Sequence, residues 1–120
     1  MIWIYRGREY VLHLSLTSRV LFDFLARYRL PQSAAQIENA IRSDPFYQKH
    51  GANGKAGGQV RMVKRRAVKV FIQRIRRALE HAFRQAGVTL DPGKIVRSLA
   101  SDTNVVNYCV KARIDFVHVR

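Results

Sequence analysis

A regular spacing of hydrophobic residues dominates the middle of the chain, in the segment RRAVKVFIQRIRRALE at residues 65–80. Val68, Ile72, Ile75 and Leu79 follow one another at steps of four, three and four residues, which places them on one face of an α-helix. We predict that this helix runs from about residue 60 to residue 86. Gly87 comes directly after it and is a natural C-cap.

The N-terminal quarter predicts a β-hairpin and a helix. WIYRGREYVL has β-prone residues on both sides of a turn at Gly7. LSLTSRVLFDFLARY then predicts a helix, for which we expect Thr17 as the N-cap and a hydrophobic staple between Leu16 and Leu21. Pro31 ends this region. The residues expected on its buried stripe are Leu21, Phe24, Leu25 and Tyr28.

A second helix and two strands complete the predicted order. Ser33 and Gln36 have the spacing of a capping box, so we expect a helix through about Arg42 with Ala35, Ile37, Ala40 and Ile41 on its apolar side. A glycine-rich, basic loop follows at 44–59. KIVRSL and NYCVKARIDFVHV read as two strands; in the second, Val110, Ala112, Ile114 and Phe116 alternate with Lys111, Arg113 and Asp115. The 120 residues therefore predict one α+β domain with an N-terminal β-hairpin, three helices and a C-terminal β-hairpin.

Charge is the strongest feature of the composition. Twenty-two Lys and Arg against eight Asp and Glu give a net charge of +14, an imbalance that a polyanionic partner would relieve. No apolar run approaches the roughly 20 residues of a membrane span, and the charged start does not resemble a signal peptide. With Cys109 as the only cysteine, no internal disulfide is expected, and we predict an intracellular protein without membrane contact.

The outward side of the third predicted helix explains where the charges lie. A projection at 100° per residue places Arg66, Val70, Gln73 and Arg77 almost opposite the apolar face, with Lys69 and Arg74 beside them. Like charges at helical spacing destabilise a helix, so a bound polyanion accounts for them better than solvent does. Arg at guanine, Gln at adenine and small apolar groups at thymine methyls are the contacts of a helix in the DNA major groove.

Four segments together resemble a known family. VKVFIQRIRRALE is similar to the recognition helix of the OmpR-type winged-helix family, the DNA-binding effector domain of bacterial response regulators, with Val68, Val70, Ile72, Arg74, Arg76 and Leu79 in register. LSLTSRVLFDFLARY and SAAQIENAI resemble the family's first and second helices, and IVRSL resembles the start of its wing. The family's Gly-x-Gly-Tyr wing tip is replaced by LASDTNVVNYC, and Lys69 and Phe71 stand where the family usually has an acidic residue and often has His. The resemblance does not include the family's receiver domain, so control by phosphorylation is not carried over from the family.

The resemblance implies a winged helix-turn-helix fold, with a recognition helix in the major groove and a hairpin wing at an adjacent groove. We therefore expect a sequence-specific double-stranded DNA-binding protein, a bacterial or mobile-element transcription regulator located in the cytoplasm at the nucleoid. The resemblance also implies tandem or dimeric binding to repeated half-sites, and contact with RNA polymerase through the loop 44–59. The alternatives are a plasmid or phage replication initiator and an RNA-binding winged-helix module. The expected DNA-binding residues are Lys64, Arg66, Lys69, Val70, Gln73, Arg74, Arg77, Arg97, Lys111 and Arg113.

Catalytic chemistry has no support in the sequence. The four histidines have no metal-binding spacing, and the serines at 98 and 101 lack a nearby base. Gly54-Lys55 does not fit a phosphate-binding P-loop, because Lys49 and Ala56 occupy the positions that need Gly and Ser or Thr. We expect neither an enzyme, nor a metal site, nor a cofactor.

Overall fold

A computed structural model describes residues 2–28, 30–50, 65–100, 106–110 and 115–117 of the chain. These residues form helices and short antiparallel strands in an α+β arrangement. In chain order, the elements are β1 (Ile2–Tyr5), β2 (Arg8–Val11), α1 (Leu16–Tyr28), β3 (Gln32–Ser33), α2 (Ala34–Ser43), α3 (Pro45–His50), α4 (Arg65–Gln85), α5 (Pro92–Ile95), β4 (Val96–Ala100), β5 (Val106–Val110) and β6 (Asp115–Val117).

The predicted N-terminal hairpin is confirmed. β1 and β2 pair antiparallel, with Trp3 opposite Tyr10, and Arg6 and Gly7 form the turn between them. Both turn residues have positive φ angles, 51° and 75°, which a two-residue hairpin turn of type I′ requires. Gly7 adopts this conformation without steric strain, which is why the sequence has glycine there.

The start of α1 differs from the prediction. The helix begins at Leu16, and the Ser15 hydroxyl accepts a hydrogen bond from the backbone N–H of Ser18 at 3.3 Å. The Ser15 carbonyl accepts the first helical bond from Arg19 at 2.9 Å. Ser15 is therefore the N-cap, and the prediction of Thr17 was wrong, because Thr17 already lies in the first turn. The proposed staple between Leu16 and Leu21 depended on that cap and loses its basis.

We expect Ser15→Ala to lower the free energy of unfolding by about 1 kcal/mol, since the N–H of Ser18 would lose its side-chain acceptor. Thr17→Ala is the matched control and should change stability by less than about 0.5 kcal/mol. Urea denaturation of both variants measures the difference. A larger loss for Thr17→Ala than for Ser15→Ala would contradict the observed cap.

The buried face of α1 is broader than the predicted stripe. Leu21 and Leu25 are fully buried, as predicted, whereas Phe24 is half-buried and Tyr28 is 61% exposed. The helix packs against α2, α4 and β5, so more than one side of it is covered. Tyr28 is the last residue of the helix, and its ring lies against the ring of Phe24. The buried residues are Ser18, Val20, Leu21, Phe22, Leu25 and Ala26.

The capping box of α2 is confirmed. The Ser33 hydroxyl accepts the N–H of Gln36, and the Gln36 side chain accepts the N–H of Ser33. Ile37 and Ile41 are fully buried, while Ala35 and Ala40 are half-buried.

The predicted loop 44–59 begins with a helix instead. Asp44 accepts the N–H of Tyr47 at 2.9 Å, and α3 follows it. Residues 51–59 lie outside the described part of the chain. With α3 and the single turn of α5, the described chain has two short helices beyond the three predicted, because caps at Asp44 and Asp91 start additional turns.

The C-terminal hairpin is confirmed in its pairing, but its second strand is shorter than predicted. β4 and β5 pair from Val96 opposite Val110 to Ala100 opposite Val106. The predicted strand through NYCVKARIDFVHV was wrong as one continuous element, since β5 ends at Val110 and β6 pairs with β1 in a different sheet. The predicted alternation from Val110 to Phe116 falls largely on residues 111–114, which lie outside the described part of the chain.

Two three-stranded sheets result, with strand orders β2-β1-β6 and β3-β5-β4. The helices pack between and against them around one cluster of buried side chains. Trp3 is fully buried within this cluster and stacks on Tyr5 at a centroid distance of 5.0 Å. Among the described residues, none of the helices could cross a membrane by length and apolarity.

Candidate nucleic-acid interface

The apolar face of α4 is buried as its sequence period predicts. Val68, Ile72, Ile75 and Leu79 have exposures of 0 to 1%, and Ala82 is also buried. Phe71, next to Ile72, is half-buried and packs against the edge of the core. Phe83 is buried as well and contacts Trp3, so the covered face extends further around the helix than predicted.

The C-terminal end of α4 is fixed by two sets of contacts. The N–H of Gly87 donates to the carbonyl of Arg84 and that of Val88 to the carbonyl of Phe83, with Gly87 at a φ of 67°. This is a Schellman motif, and the predicted C-cap is confirmed. Nη2 of Arg8 donates to the carbonyl of Ala86 at 2.9 Å, so the N-terminal hairpin places a cation at the negative end of the helix dipole.

The opposite side of α4 is exposed and basic. Lys69, Val70, Gln73, Arg74 and Arg77 all face solvent, and we call these five residues the basic face. Val70 is 43% exposed, so an apolar side chain lies among these polar and charged ones. The five residues extend over about 12 Å of helix axis, at 1.5 Å per residue. The structure thus brings together five of the ten predicted DNA-binding residues.

The other five predicted DNA-binding residues are not part of the basic face: one lies on β4, and the side chains of the other four are not described. Arg66 belongs to α4, but its side chain is not described. Lys64, Lys111 and Arg113 lie outside the described residues. Arg97 is half-buried in β4, opposite Cys109 of β5. The Ser98 side chain bonds to Arg76 of α4. Because side chains alternate along a strand, the Arg97 side chain lies on the other face of β4.

Five acidic side chains among the described residues have partners outside the basic face. Three of them form ion pairs with arginines four residues further along their helices, and two others cap α3 and α5. The ion pairs are Asp23–Arg27, Glu38–Arg42 and Glu80–Arg84, and the caps are Asp44 and Asp91. Glu80 is the acid nearest in sequence to the basic face, and it bonds to Arg84 at 2.7 Å, on the side away from Arg77. A ligand with negative charge would supply what these carboxylates do not.

One residue of the basic face has a preferred position. The guanidinium carbon of Arg74 lies 5.3 Å from the centroid of the Phe71 ring. A cation over an aromatic ring is attracted by the negative charge of the ring face. Phe71 is itself half-buried against the core. The contact therefore holds Arg74 at one side of the basic face and reduces the number of rotamers it can adopt.

Arg76 has a different role from its basic neighbours. Its Nε donates to the carbonyl of Val96 at 3.0 Å, and its Nη2 donates to the hydroxyl of Ser98 at 2.7 Å. It therefore connects α4 to β4. From the sequence, Arg76 contributes only to the family resemblance. A signal was present, because Arg76 comes four residues after Ile72 and three before Leu79 and so neighbours the predicted apolar face on the helix.

Cys109, His13 and His81 are further residues considered from the sequence that lie in the described part of the chain. Cys109 is buried in β5, as expected of a small apolar residue. His13 and His81 are exposed, and no group of three His, Cys, Asp or Glu among the described residues could hold a metal ion. The predicted polymerase-contacting loop contains α3, and its residues 51–59 are not described.

Comparison with known proteins adds no relative to these observations: no family model matches the chain, and no curated protein or solved structure matches it significantly.

Proposed function

We propose that this protein is a sequence-specific double-stranded DNA-binding protein that inserts α4 into the major groove, and that it acts as a bacterial or mobile-element transcription regulator. The observation that supports it best is the division of α4 into two faces. One face is buried to between 0 and 4% exposure from Val68 to Ala82, and the other exposes Lys69, Arg74 and Arg77 together with Val70 and Gln73.

The dimensions and chemistry of the basic face suit duplex DNA. The major groove is about 12 Å wide and accepts an α-helix, whose diameter with side chains is about 10–12 Å. Arg77 can donate to guanine, Gln73 can pair with adenine, and Val70 can contact a thymine methyl. Arg74 and Lys69 lie at the sides, where phosphates border the groove. An exposed valine between cations has a physical use if it contacts bases, whereas a solvated face would gain nothing from it.

The arrangement of the elements supports a winged helix-turn-helix as the proposed fold class. A β-hairpin precedes the helices α1, α2 and α4, and the β4–β5 hairpin follows them, in the order expected from the resemblance to OmpR-type effector domains. The β4–β5 hairpin is bonded to α4 through Arg76, as a wing beside a recognition helix would need. Under this proposal the protein binds at the nucleoid in the cytoplasm, in tandem or as a dimer on repeated half-sites, with RNA polymerase a possible partner of segment 44–59.

Two alternatives remain within the same binding chemistry. A plasmid or phage replication initiator would use the same helix, and a genomic footprint separates the two roles: scattered promoters indicate regulation and one replication origin indicates initiation. A module for single-stranded RNA would need aromatic stacking platforms. The basic face has none, because Phe71 beside it is half-buried and covered by Arg74.

Binding should depend steeply on salt. We assume that about six phosphates are neutralised. A plot of the logarithm of the association constant against the logarithm of the salt concentration should then have a slope of about −5. Fluorescence anisotropy on a labelled duplex between low and physiological salt measures it. Arg74→Gln should reduce the slope by about one, because it removes a cation from the side of the basic face, where phosphates border the groove.

Arg27→Gln is the matched control for the salt experiment. It removes the same charge from α1, where Arg27 is already paired with Asp23, and should leave the slope unchanged. A wild-type slope near zero, or tighter binding to single-stranded RNA than to duplex, would contradict the proposal.

A further inference from the structure

Arg76 differs in its contacts from the other basic residues of α4. It is half-buried, whereas Lys69, Arg74 and Arg77 are exposed. Its guanidinium donates two hydrogen bonds, to the Val96 carbonyl at 3.0 Å and to the Ser98 hydroxyl at 2.7 Å. One acceptor is a backbone carbonyl and the other is a side-chain hydroxyl two residues further along β4, so the guanidinium contacts the start of this strand at two points.

Two bonds from one planar group fix an orientation as well as a distance. The guanidinium presents its donors in a rigid fork, whereas a lysine ammonium is a single point with freely rotating donors. β4 is in turn paired with β5 along five residue pairs, from Val96 with Val110 to Ala100 with Val106. Arg76 therefore adds a bond of fixed orientation between α4 and the hairpin, whose side chains Val96, Tyr108 and Val110 are also buried in the core.

We propose that Arg76 is a positioning residue that sets the angle between the β4–β5 hairpin and the basic face, so that the two bind one DNA duplex as a single rigid unit. This inference rests on the proposed DNA-binding function. It assigns Arg76 no phosphate or base contact, although it lies between Gln73 and Arg77 in the sequence. The hairpin contact with DNA then requires Arg76 even though Arg76 does not touch the DNA.

The orientation can be tested without DNA. Residual dipolar couplings of backbone amides in β4, β5 and α4 report the angle between hairpin and helix. Arg76→Lys keeps the charge and removes the fork, and we expect the hairpin couplings to cease to fit the alignment determined from α4. Ser98→Ala removes one acceptor only and serves if Arg76→Lys folds poorly; it should produce a smaller change of the same kind. Arg77→Lys, the adjacent exposed arginine, is the control and should leave the couplings unchanged. Unchanged couplings in both Arg76→Lys and Ser98→Ala would overturn the positioning role.

The consequence for binding is tested by hydroxyl-radical footprinting on a selected duplex, at a temperature where every variant is folded. Arg76→Lys should retain the protection beneath α4 and the wild-type salt slope and lose the flanking protection due to the hairpin. It should bind about tenfold more weakly, the factor for one hydrogen bond between hairpin and DNA that is no longer made. Arg77→Lys should keep the flanking protection. A full wild-type footprint for Arg76→Lys would contradict the inference, and so would a salt slope reduced by about one in Arg76→Gln, which indicates a direct phosphate contact. If the wild-type protein protects no duplex, the proposed function fails, while the couplings still decide whether Arg76 positions the hairpin.

Discussion

Replacing Ile75 by alanine is expected to lower the free energy of unfolding by about 2–5 kcal/mol, the range for a large aliphatic side chain removed from a packed core. Ile75 is fully buried at the centre of the apolar face of α4, between Ile72 and Leu79. Its loss would leave a cavity where this helix meets the rest of the core. Thermal and urea denaturation of the variant measure the change.

The helix offers a matched pair of valines as the control. Val68 is 0% exposed and Val70 is 43% exposed, two residues apart on opposite sides of α4. Val68→Ala should destabilise the protein by roughly 1–3 kcal/mol, because it removes buried apolar area and leaves a void. Val70→Ala should change stability by less than about 0.5 kcal/mol, as most surface substitutions do. Equal effects at the two valines, or an unchanged midpoint for Ile75→Ala, would mean that the faces of α4 are assigned incorrectly, and the major-groove proposal would fail with them.

Two neighbouring residues of the basic face should respond differently to alanine. Gln73 lies between Val70 and Arg77 on the outward side of α4, where its carboxamide can pair with N6 and N7 of adenine. Gln73→Ala should therefore weaken binding to the preferred site by about 1–3 kcal/mol and leave binding to random sequence almost unchanged. Arg74, at the side of the face and over the Phe71 ring, should instead contact a phosphate. Arg74→Ala should weaken all duplexes about equally and reduce the salt slope by about one.

Titrations of both variants on a selected site and on a scrambled duplex, at one salt concentration, separate these roles. The comparison is internal, since each variant serves as the control for the other. If Gln73→Ala weakens both duplexes equally, or neither, the base-recognition role of Gln73 is wrong. Only a charged contact with the DNA backbone would then remain.

Features set by local sequence were predictable. The turn at Arg6-Gly7, the capping box of Ser33 and Gln36, the Schellman motif at Gly87 and the two faces of α4 all depend on residues within a few positions of one another. In each case the hydrogen-bond partner or packing period lies within the same segment. The five described residues of the basic face were identified for the same reason.

Features set by distant partners were not predictable from pattern alone. β3 has only two residues and exists because Gln32 and Ser33 pair with Tyr108 and Asn107 of β5. β6 is separated from β5 because it pairs with β1 at the other end of the chain. The exposure of Tyr28 depends on where α2, α4 and β5 contact α1. The hydrophobic period of α1 does not show where those elements lie.

Arg76 illustrates the limit for the candidate site. In the sequence, Arg76 is one of six Lys and Arg among residues 65–77. Its spacing does not show whether its side chain contacts solvent, a phosphate or the protein. Its partners, Val96 and Ser98, come 20 and 22 residues later. Its position at the border of the buried face was visible in the sequence, but the acceptors on β4 were not.

Selection of bound molecules from random pools tests the central proposal most directly. Purified full-length protein would be offered random duplex DNA, single-stranded DNA and single-stranded RNA of equal length, in parallel and at one physiological salt concentration. We predict enrichment of one duplex motif, and no comparable enrichment from the single-stranded pools. Recovery of duplexes without a common motif, or preferential enrichment of single-stranded RNA, would contradict recognition of duplex DNA by α4.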